Sequence, residues 1–418
     1  MIDWQPWICV HCKSRIDGPR GATGTKLSCG KCGRSFPLVG RETAVFSRDP
    51  ERQISDTYLK VEHEIRAIQN KSKLLATRVS RGSKRAAACK VIIEGLRHNV
   101  EVARAIQAAI LPRLSTEQQA NLKLRLAGAF AAPQRTFPEQ ALGFLKKRAE
   151  SLGELVESKI GGKPVDPRRS SDATTIGYML RMYKYMRNDW GGSPLCEARI
   201  ASIEEAIFPL LREHAADKGS ALMLGAGMAR FAWDLLPIFK HVIAAEASVP
   251  AAVLHDMLQR GEVITCEPEE QSAYTIADQG RQTVSSITRT YPWAGKEPPP
   301  GHGDLVYCVA DASAMPLADR SISAILSIYF TDVLPLSLLL PEVKRLLKPG
   351  GVFLHFGPLA YHFDDFEEMY SIEEVRSIFA SHGFEIRSDR FVGDCKRTEA
   401  TMFGPFFNAW CFCAVYRG

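Results

Sequence analysis

The spacing of apolar residues changes along the chain and divides it into three parts. Residues 1–50 contain Gly, Pro and Cys among short β-prone pieces, which is typical of a small metal-stapled ribbon. Residues 51–160 carry apolar positions three and four apart, as in VEHEIRAIQNKSKLLATRV, which predicts amphipathic helices. Residues 161–175 are rich in Gly, Pro, Ser and charge and are interpreted as a linker. We therefore predict domains at residues 1–50, 51–170 and 171–418.

From residue 176 onward, helical periodicity alternates with short apolar runs. The runs predict strands at Ala221–Leu224, His241–Glu246, Ile322–Phe330, Val352–Phe356, Glu385–Arg390 and Trp410–Tyr416. Helices are predicted at Ala198–Ala215, Phe231–Phe239, Val333–Leu347 and Ser371–His382. Strands separated by helices imply βαβ units and a mostly parallel sheet, so the predicted fold class is α/β. Residues 262–303, which end in KEPPPGHG, are interpreted as an insertion over one face of the sheet.

The net charge of +6 is unevenly distributed. Residues 1–170 hold 31 Lys/Arg against 16 Asp/Glu, whereas residues 171–418 hold 22 against 31. This asymmetry can indicate a surface that binds nucleic acid. It is equally typical of two halves that attract each other, or of helices with a solvated, charged surface. No run of 18 apolar residues occurs, so we expect no membrane span. The first residues, MIDWQPWICVHC, lack the pattern of a secretory signal, which predicts a cytoplasmic protein.

Four of the eleven cysteines form a regular pattern, Cys9-x2-Cys12 and Cys29-x2-Cys32, and the other seven are scattered. Two such pairs supply four thiolates in a tetrahedron, which is the closed arrangement of a structural zinc site. Because all four positions are filled, the pattern predicts structural zinc rather than catalytic zinc. His11 lies inside the first pair and is interpreted as a bystander.

The segment SALMLGAGMARFAWDL reads as a strand, a glycine turn and a helix. Gly225 permits a tight turn, and Gly227 lets a ligand approach the backbone closely. Glu246 ends the second strand about twenty residues later, where a carboxylate can accept both hydroxyls of a ribose. A glycine turn alone also suits dinucleotide enzymes, so the order of the motifs matters. The predicted cofactor site comprises Gly225, Ala226, Gly227 and Glu246, together with Asp311 and Ala312, which follow a third strand.

The order of these motifs resembles that of class I S-adenosylmethionine (SAM) methyltransferases, in which the acid after the third strand lies near the adenine. This resemblance implies a Rossmann-like, seven-stranded, mostly parallel sheet, here preceded by a helical region and a small zinc ribbon. The segments RNDWGG, GAGMARFAWDL, YFTD and LKPGGVFLHFGPLAYHFDDF resemble the carnosine N-methyltransferase family, with GPLAYHF the most specific of them. Within that family, Arg230 stands at an arginine position and is expected to contact the methionine carboxylate of SAM.

In that family the methyl acceptor is a ring nitrogen of an imidazole, and two substrate-holding positions fall on Asp332 and His362. A carboxylate that accepts the imidazole N–H fixes the tautomer and leaves the other nitrogen free to attack. The resemblance also assigns Trp190, Tyr361 and Phe407 to the substrate pocket. The family has tyrosines near the final strand where this chain has Phe407 and Ala409, which casts doubt on carnosine itself.

The sequence therefore predicts a SAM-dependent N-methyltransferase that modifies an imidazole of a histidine-containing small molecule, peptide or protein. A first alternative is an RNA methyltransferase, because KLSCGKCGRSFPLVGRETAVF resembles ribbons of the activator subunit of tRNA and protein methyltransferases and of some rRNA methyltransferases. Against it, Tyr329-Phe330-Thr331-Asp332 replaces the Asn/Asp-Pro-Pro-Tyr/Phe signature of many base-methylating enzymes. A second alternative is a SAM-binding scaffold that activates a partner without catalysis.

Overall fold

The computed structural model describes residues 7–16, 26–40, 43–82, 86–131, 182–183, 186, 188–192, 194–260, 303–396 and 404–418. The predicted linker at 161–175, the end of the predicted helical part, and all but the last residue of the predicted insertion lie outside the described residues. The strands are β1 (Lys26–Ser28), β2 (Ser35–Val39), β3 (Thr43–Phe46), β4 (Ser220–Leu224), β5 (His241–Glu246), β6 (Asp304–Ala310), β7 (Ile322–Ile328), β8 (Leu347–Gly357), β9 (Phe384–Cys395) and β10 (Phe406–Tyr416).

In the described part of the chain these strands form one sheet in the order β1-β2-β3-β6-β5-β4-β7-β8-β10-β9. Strands β6, β5, β4, β7 and β8 run parallel, and β10 is antiparallel to both β8 and β9. This seven-strand order with one reversed strand is the class I methyltransferase fold, so the predicted fold class is confirmed. The sheet has ten strands rather than seven because the ribbon adds three.

The ribbon is joined directly to the edge of the methyltransferase sheet. Strand β3 pairs in parallel with β6, which sets Phe46 opposite Ala310. The ribbon also reaches the loop after β6, since the Ile8 N–H donates to the Pro316 carbonyl at 2.9 Å and Trp7 bridges to Leu317. The ribbon and the sheet therefore share hydrogen bonds and a core, while the boundary placed at residue 50 stays a prediction.

The first helices are α1 (Pro50–Ser80), α2 (Ala86–Ile110) and α3 (Thr116–Ala131). Helix α1 begins where Asp49 accepts a hydrogen bond from the Arg52 N–H at 3.0 Å, with proline in the first turn, which tolerates it. Ile54, Val61 and Ile65 recur on one face of α1 and are buried. The predicted amphipathic helices are present in this described part, and they pack beside the sheet.

The remaining helices are α4 (Pro194–His214), α5 (Arg230–Asp234), α6 (Val249–Gln259), α7 (Leu336–Leu346) and α8 (Ile372–Ser381). They cover both faces of the sheet, so successive residues of β4 enter different cores: Ala221 and Met223 one, Leu222 and Leu224 the other. A central parallel strand is therefore apolar throughout instead of alternating. Among the described residues, no helix combines the length and apolar character needed to cross a membrane.

Candidate functional site

The glycine turn follows β4 and touches the segment after β7. Gly225 has a φ of +59°, and a Cβ built there would lie 2.2 Å from Cδ2 of Phe330. Only glycine fits this position, because both the left-handed backbone and the close ring exclude a side chain. The Ala226 N–H donates to the Ala245 carbonyl at 2.9 Å and ties the turn to the end of β5.

Gly227 and Glu246 are directly connected. The Gly227 N–H donates to Oε2 of Glu246 at 3.0 Å, while the N–H groups of Ala247 and Ser248 donate to Oε1 at 2.9 and 3.1 Å. Burial raises the pKa of Glu246 above its usual value, although these three backbone donors act in the opposite direction. A Cβ built on Gly227 would meet no atom within 4 Å, so open space adjoins this carboxylate.

Two residues that the sequence did not single out support the turn from the side of β6. The Tyr307 hydroxyl donates to the Gly227 carbonyl at 2.6 Å. The Tyr307 ring stacks on His255 with centroids 4.3 Å apart. Tyr307 reaches the turn because β6 pairs with β5, and His255 lies on α6. The spacing of residues near the turn does not reveal either contact.

Arg230 lies at the start of α5 and is buried. Its guanidinium makes four hydrogen bonds: to Asp234 at 2.7 Å, to the Asp189 carbonyl at 2.9 Å and to both carboxylate oxygens of Glu197 at 3.2 and 3.1 Å. It also lies over the Trp190 ring, 5.2 Å from its centroid. These contacts hold the region behind the glycine turn, and the expected contact with SAM stays a prediction.

Trp190 is buried beside the cofactor turn, and its indole N–H donates to the Met228 carbonyl at 3.1 Å. The next residue, Ala229, adopts the left-handed conformation with a φ of +61°. The structure thus places Trp190 against the cofactor turn. A contact of Trp190 with the substrate stays a prediction.

Asp311 lies at the carboxyl end of β6 and is exposed. Its Oδ1 accepts hydrogen bonds from the Ser313 N–H at 2.8 Å and from the Ser313 hydroxyl at 2.7 Å. Ala312 beside it is buried. Asp311 and Glu246 therefore end neighbouring strands at the same edge of the sheet, where ligands bind in open α/β folds.

The loop after β7 is held in a constrained conformation. Tyr329 has a φ of +56°, and its N–H donates to the Phe356 carbonyl at 2.7 Å. A Cβ on Gly357 would lie 3.2 Å from the Tyr329 backbone, so the chain passes closely there. A bulky residue in this backbone region is uncommon and costs energy, which marks this loop as a candidate functional site.

A buried chain of polar groups fixes the same loop from within. The hydroxyls of Ser327 and Thr331 are 2.6 Å apart, and Oγ1 of Thr331 lies 2.8 Å from Nδ1 of His355. Nε2 of His355 lies 3.2 Å from the Gly357 carbonyl, which only accepts, so this nitrogen carries the proton. Burial lowers the pKa of His355 to about 4, and the ring is neutral.

Asp332 is 3% exposed and follows this chain directly. Its Oδ2 accepts the Ala360 N–H at 2.9 Å, and its carbonyl accepts the His362 N–H at 2.9 Å. The His362 side chain is exposed, so it is not a core residue. The structure thus brings together the segments that carry Asp332 and His362, two residues that the sequence placed in one site.

Tyr361 lies in the same loop and is half-buried. Its hydroxyl donates to the Tyr370 carbonyl at 2.7 Å, and its ring centroid is 5.3 Å from that of Phe363. Burial raises the pKa of Tyr361 to about 12. The hydroxyl is therefore neutral and already engaged, which leaves the ring as the part of Tyr361 that a substrate can contact.

Phe407 faces Tyr329 across the other side of this region. The two ring centroids are 5.8 Å apart in an edge-to-face arrangement. The Tyr329 hydroxyl donates to Asp394, which Arg199 also binds through two hydrogen bonds of 2.7 and 3.1 Å. Burial and the neighbouring Asp394 charge raise the pKa of Tyr329. No local spacing points to Arg199 or Asp394, because the two are 195 residues apart in the chain.

The four ribbon cysteines come together. Their sulfur atoms all lie within 4.8 Å of one another, with 3.6 Å between Cys9 and Cys32 and 3.5 Å between Cys12 and Cys29. Tetrahedral zinc with Zn–S bonds of about 2.3 Å requires sulfur separations of roughly 3.8 Å. The donor set therefore fits a zinc ion, and in the described part of the chain His11 is outside the group.

A basic cleft of about 430 Å³ lies between the ribbon and the first helices. Its lining includes Asp49 and Glu51, and also five basic residues: His11, Lys26, Arg34, Arg48 and Arg113. Burial and the charges of Arg34 and Arg48 lower the pKa of His11. Positive charge predominates in the cleft, which favours an anionic partner.

Residues 290–416 match the family model described as carnosine N-methyltransferase. The carnosine N-methyltransferases of Rattus norvegicus and Mus musculus are each 34% identical to this chain over 52 residues, 12% of this chain. That match spans only 13% of the length of each rodent protein. The resemblance read from the sequence is confirmed over this C-terminal part.

Solved methyltransferase structures are also similar. A SAM-dependent methyltransferase from Methanosarcina mazei is 16% identical with a TM-score of 0.34, covering 50% of this chain and 98% of that one. Magnesium protoporphyrin IX methyltransferase from Synechocystis PCC 6803, solved with bound SAM, is 10% identical with a TM-score of 0.33, covering 56% and 89%. The class I assignment itself rests on the strand order, and the predicted methyltransferase is confirmed at the level of family match and fold.

Proposed function

We propose that the protein transfers a methyl group from SAM to an imidazole nitrogen of a histidine-containing small molecule, peptide or protein. The observation that carries this proposal is the contact of Gly225 with Phe330, two residues before Asp332. It sets the glycine turn of the proposed cofactor site beside the loop of the proposed acceptor site. The family match over residues 290–416 supports the same chemistry.

The residues around the turn suit SAM. Glu246 is anchored by three backbone donors and can accept ribose hydroxyls with its remaining lone pairs, next to the open space at Gly227. Asp311 ends the adjacent strand, on the side proposed for the adenine. SAM supplies the methyl as part of a cationic sulfonium, so the chain's own residues need chiefly to align the acceptor.

Asp332 is the proposed orienting group. A buried carboxylate with one oxygen held by the Ala360 N–H can accept the acceptor's ring N–H, which exposes the lone pair of the other nitrogen. His362 adjoins it through the backbone and is exposed, so it is placed to orient the acceptor or to take up its proton. Trp190, Tyr361 and Phe407 stay predicted pocket residues.

The decisive experiment replaces Asp332 with Asn. SAM binding, measured by calorimetry, should persist, whereas methyl transfer to histidine peptides should fall about 100-fold, a loss typical of one acid–base group. The matched control is Asp364→Asn, which removes the charge of an exposed carboxylate in the same loop and should retain activity. Unchanged turnover in Asp332→Asn would contradict the proposed role and favour the scaffold alternative.

RNA methylation is a second candidate, favoured by the basic cleft and by the charge surplus of residues 1–170. In that case the region predicted to be helical at 51–170 would bind the RNA together with the ribbon. Contacts to several phosphates make affinity fall steeply with salt. Titration of a labelled RNA between low and physiological salt tests this, and a flat response would argue against it.

We also propose that the four clustered cysteines hold a structural zinc ion. Their sulfur separations support this, and a closed tetrathiolate site stabilises a fold without taking part in chemistry. The cytoplasmic location expected from the sequence stays a prediction.

A further inference from the structure

Lys396, just after β9, is a charged residue to which the proposed mechanism gives no task. Its ammonium nitrogen lies 3.4 Å from the ring centroid of Tyr329 and 5.0 Å from that of Phe407. Both rings belong to the wall of the proposed acceptor site, since Tyr329 opens the loop that carries Asp332. The ammonium group therefore lies at this wall, against two aromatic rings.

In the part of the chain that the structure describes, the N–H donors of this ammonium have no acceptor. Across the described residues, the Lys396 side chain makes no hydrogen bond or ion pair, and the two ring contacts are its only interactions of this kind. An ammonium carries three N–H donors, and cation–π contacts satisfy none of them. The nearby Asp394 carboxylate is already engaged by Arg199 and by the Tyr329 hydroxyl.

The electrostatic surroundings keep this lysine available. Burial, followed by the positive charge of Arg199, lowers the pKa of Lys396 to about 8. The carboxylates of Asp394, Asp189 and Asp332 act in the opposite direction and raise this pKa. The group is thus mainly protonated at neutral pH but poorly solvated. A partly desolvated cation with free donors gains more from an anionic partner than an exposed one does.

Phe407 in this wall has no hydroxyl, and neither has the buried Ala409 two residues further along β10. Lys396 is therefore a hydrogen-bond donor at this wall for a polar group of the acceptor, next to rings that can pack on an imidazole.

We propose that Lys396 is a specificity-determining residue that binds a carboxylate carried by the methyl acceptor, close to its imidazole ring. This inference rests on the proposed function and narrows it to acidic imidazole compounds. The carboxylate has two possible sources: the terminal carboxylate of a histidine, or the side chain of an acidic residue beside a histidine in a peptide. Both present the same oxygens to the ammonium.

Four probes separate these sources. N-acetylhistidine is compared with N-acetylhistidine amide, and acetyl-Asp-His-amide with acetyl-Asn-His-amide, by kcat/KM for methyl transfer from labelled SAM. The acidic member of at least one pair should be favoured tenfold or more, mainly through a lower KM, as is typical of a hydrogen bond to a charged group. The pair that shows the preference identifies the source.

Variants of Lys396 assign the preference to this residue. Lys396→Met keeps the length and packing on the rings but should erase the preference within each pair of probes. Lys396→Arg should restore most of it. Thermal unfolding of both variants checks that they fold.

The outcomes distinguish the two proposals. Equal kcat/KM within each pair, or a preference that survives in Lys396→Met, overturns the role of Lys396 and leaves imidazole methylation standing. Failure of all four probes to accept a methyl group, with SAM bound, overturns the proposed imidazole methylation and the Lys396 inference together.

Discussion

Arg199 binds Asp394 through two parallel hydrogen bonds of 2.7 and 3.1 Å, and both side chains are at most 9% exposed. The pair joins α4 to β9 across 195 residues of sequence. Because Asp394 also accepts the Tyr329 hydroxyl, the same carboxylate fixes the loop that leads to Asp332. A structural ion pair thereby positions the proposed acceptor site.

Asp394→Asn should lower the free energy of unfolding by about 3–5 kcal/mol, because it leaves the buried Arg199 charge without its partner. Urea unfolding followed by circular dichroism measures this. Arg97→Ala, which breaks an exposed pair on α2, is the control and should leave the unfolding midpoint nearly unchanged. Equal behaviour of the two variants would show that burial adds nothing to the Arg199 pair.

Alanine at the two glycines of the turn should have different effects. Gly225→Ala brings a methyl into the Phe330 ring as well as a strained backbone, and should cost about 3 kcal/mol of stability. The methyl of Gly227→Ala meets open space, so only the backbone strain of about 1 kcal/mol lowers the stability. The affinity for SAM should nevertheless fall about tenfold, because this methyl enters the proposed cofactor space. Chemical unfolding and calorimetry with SAM separate the effects, and normal SAM binding by Gly227→Ala would contradict the placement.

The buried His355 predicts a specific pH dependence. Its pKa of about 4 in the folded chain is below the unfolded value of 6.5, so the unfolded state binds its proton first as pH falls. The stability it contributes is complete above pH 6.5, is lost between pH 6.5 and 4, and amounts to about 3 kcal/mol.

The comparison variant for this prediction is His355→Gln, whose amide can still donate to the Gly357 carbonyl and accept from Thr331 but does not titrate. Free energies of unfolding of the two proteins should diverge as pH falls from 6.5 to 4. If the free energies of unfolding of the two proteins ran parallel over this interval, His355 would take up its proton equally in the folded and unfolded states, and its pKa would not be lowered.

Cys29→Ser should lose zinc, destabilise the ribbon and weaken SAM binding, because the ribbon is bonded to the loop that follows Asp311. Elemental analysis and calorimetry provide the two readouts. Cys395→Ser alters an exposed cysteine outside the cluster and should retain the metal. Full zinc content in Cys29→Ser would refute the tetrathiolate site.

Local pattern predicted the fold well. The strand His241–Glu246 matches β5 at both ends, because a buried parallel strand is a continuous apolar run. Helix α5 is shorter than predicted, ending at Asp234, since periodicity does not show where a helix stops.

The contacts that the sequence did not predict join residues that are distant in the chain. Tyr307 meets Gly227, and Arg199 meets Asp394, only because particular strands and helices become neighbours. The buried His355 carries no spacing signal either. Motifs therefore located the glycine turn and the Asp332 loop, whereas the groups that hold them required the tertiary structure.

The pairing of β3 with β6 bears on how the protein would behave without the proposed zinc ion. In a seven-strand sheet, β6 would be the outermost strand, with a row of unsatisfied backbone amides and carbonyls exposed to other molecules. Here β3 of the ribbon pairs with the last three residues of that strand. If the ribbon cysteines hold zinc as proposed, chelation would weaken this pairing and expose the strand edge, and the metal-free protein should associate through it into β-rich aggregates.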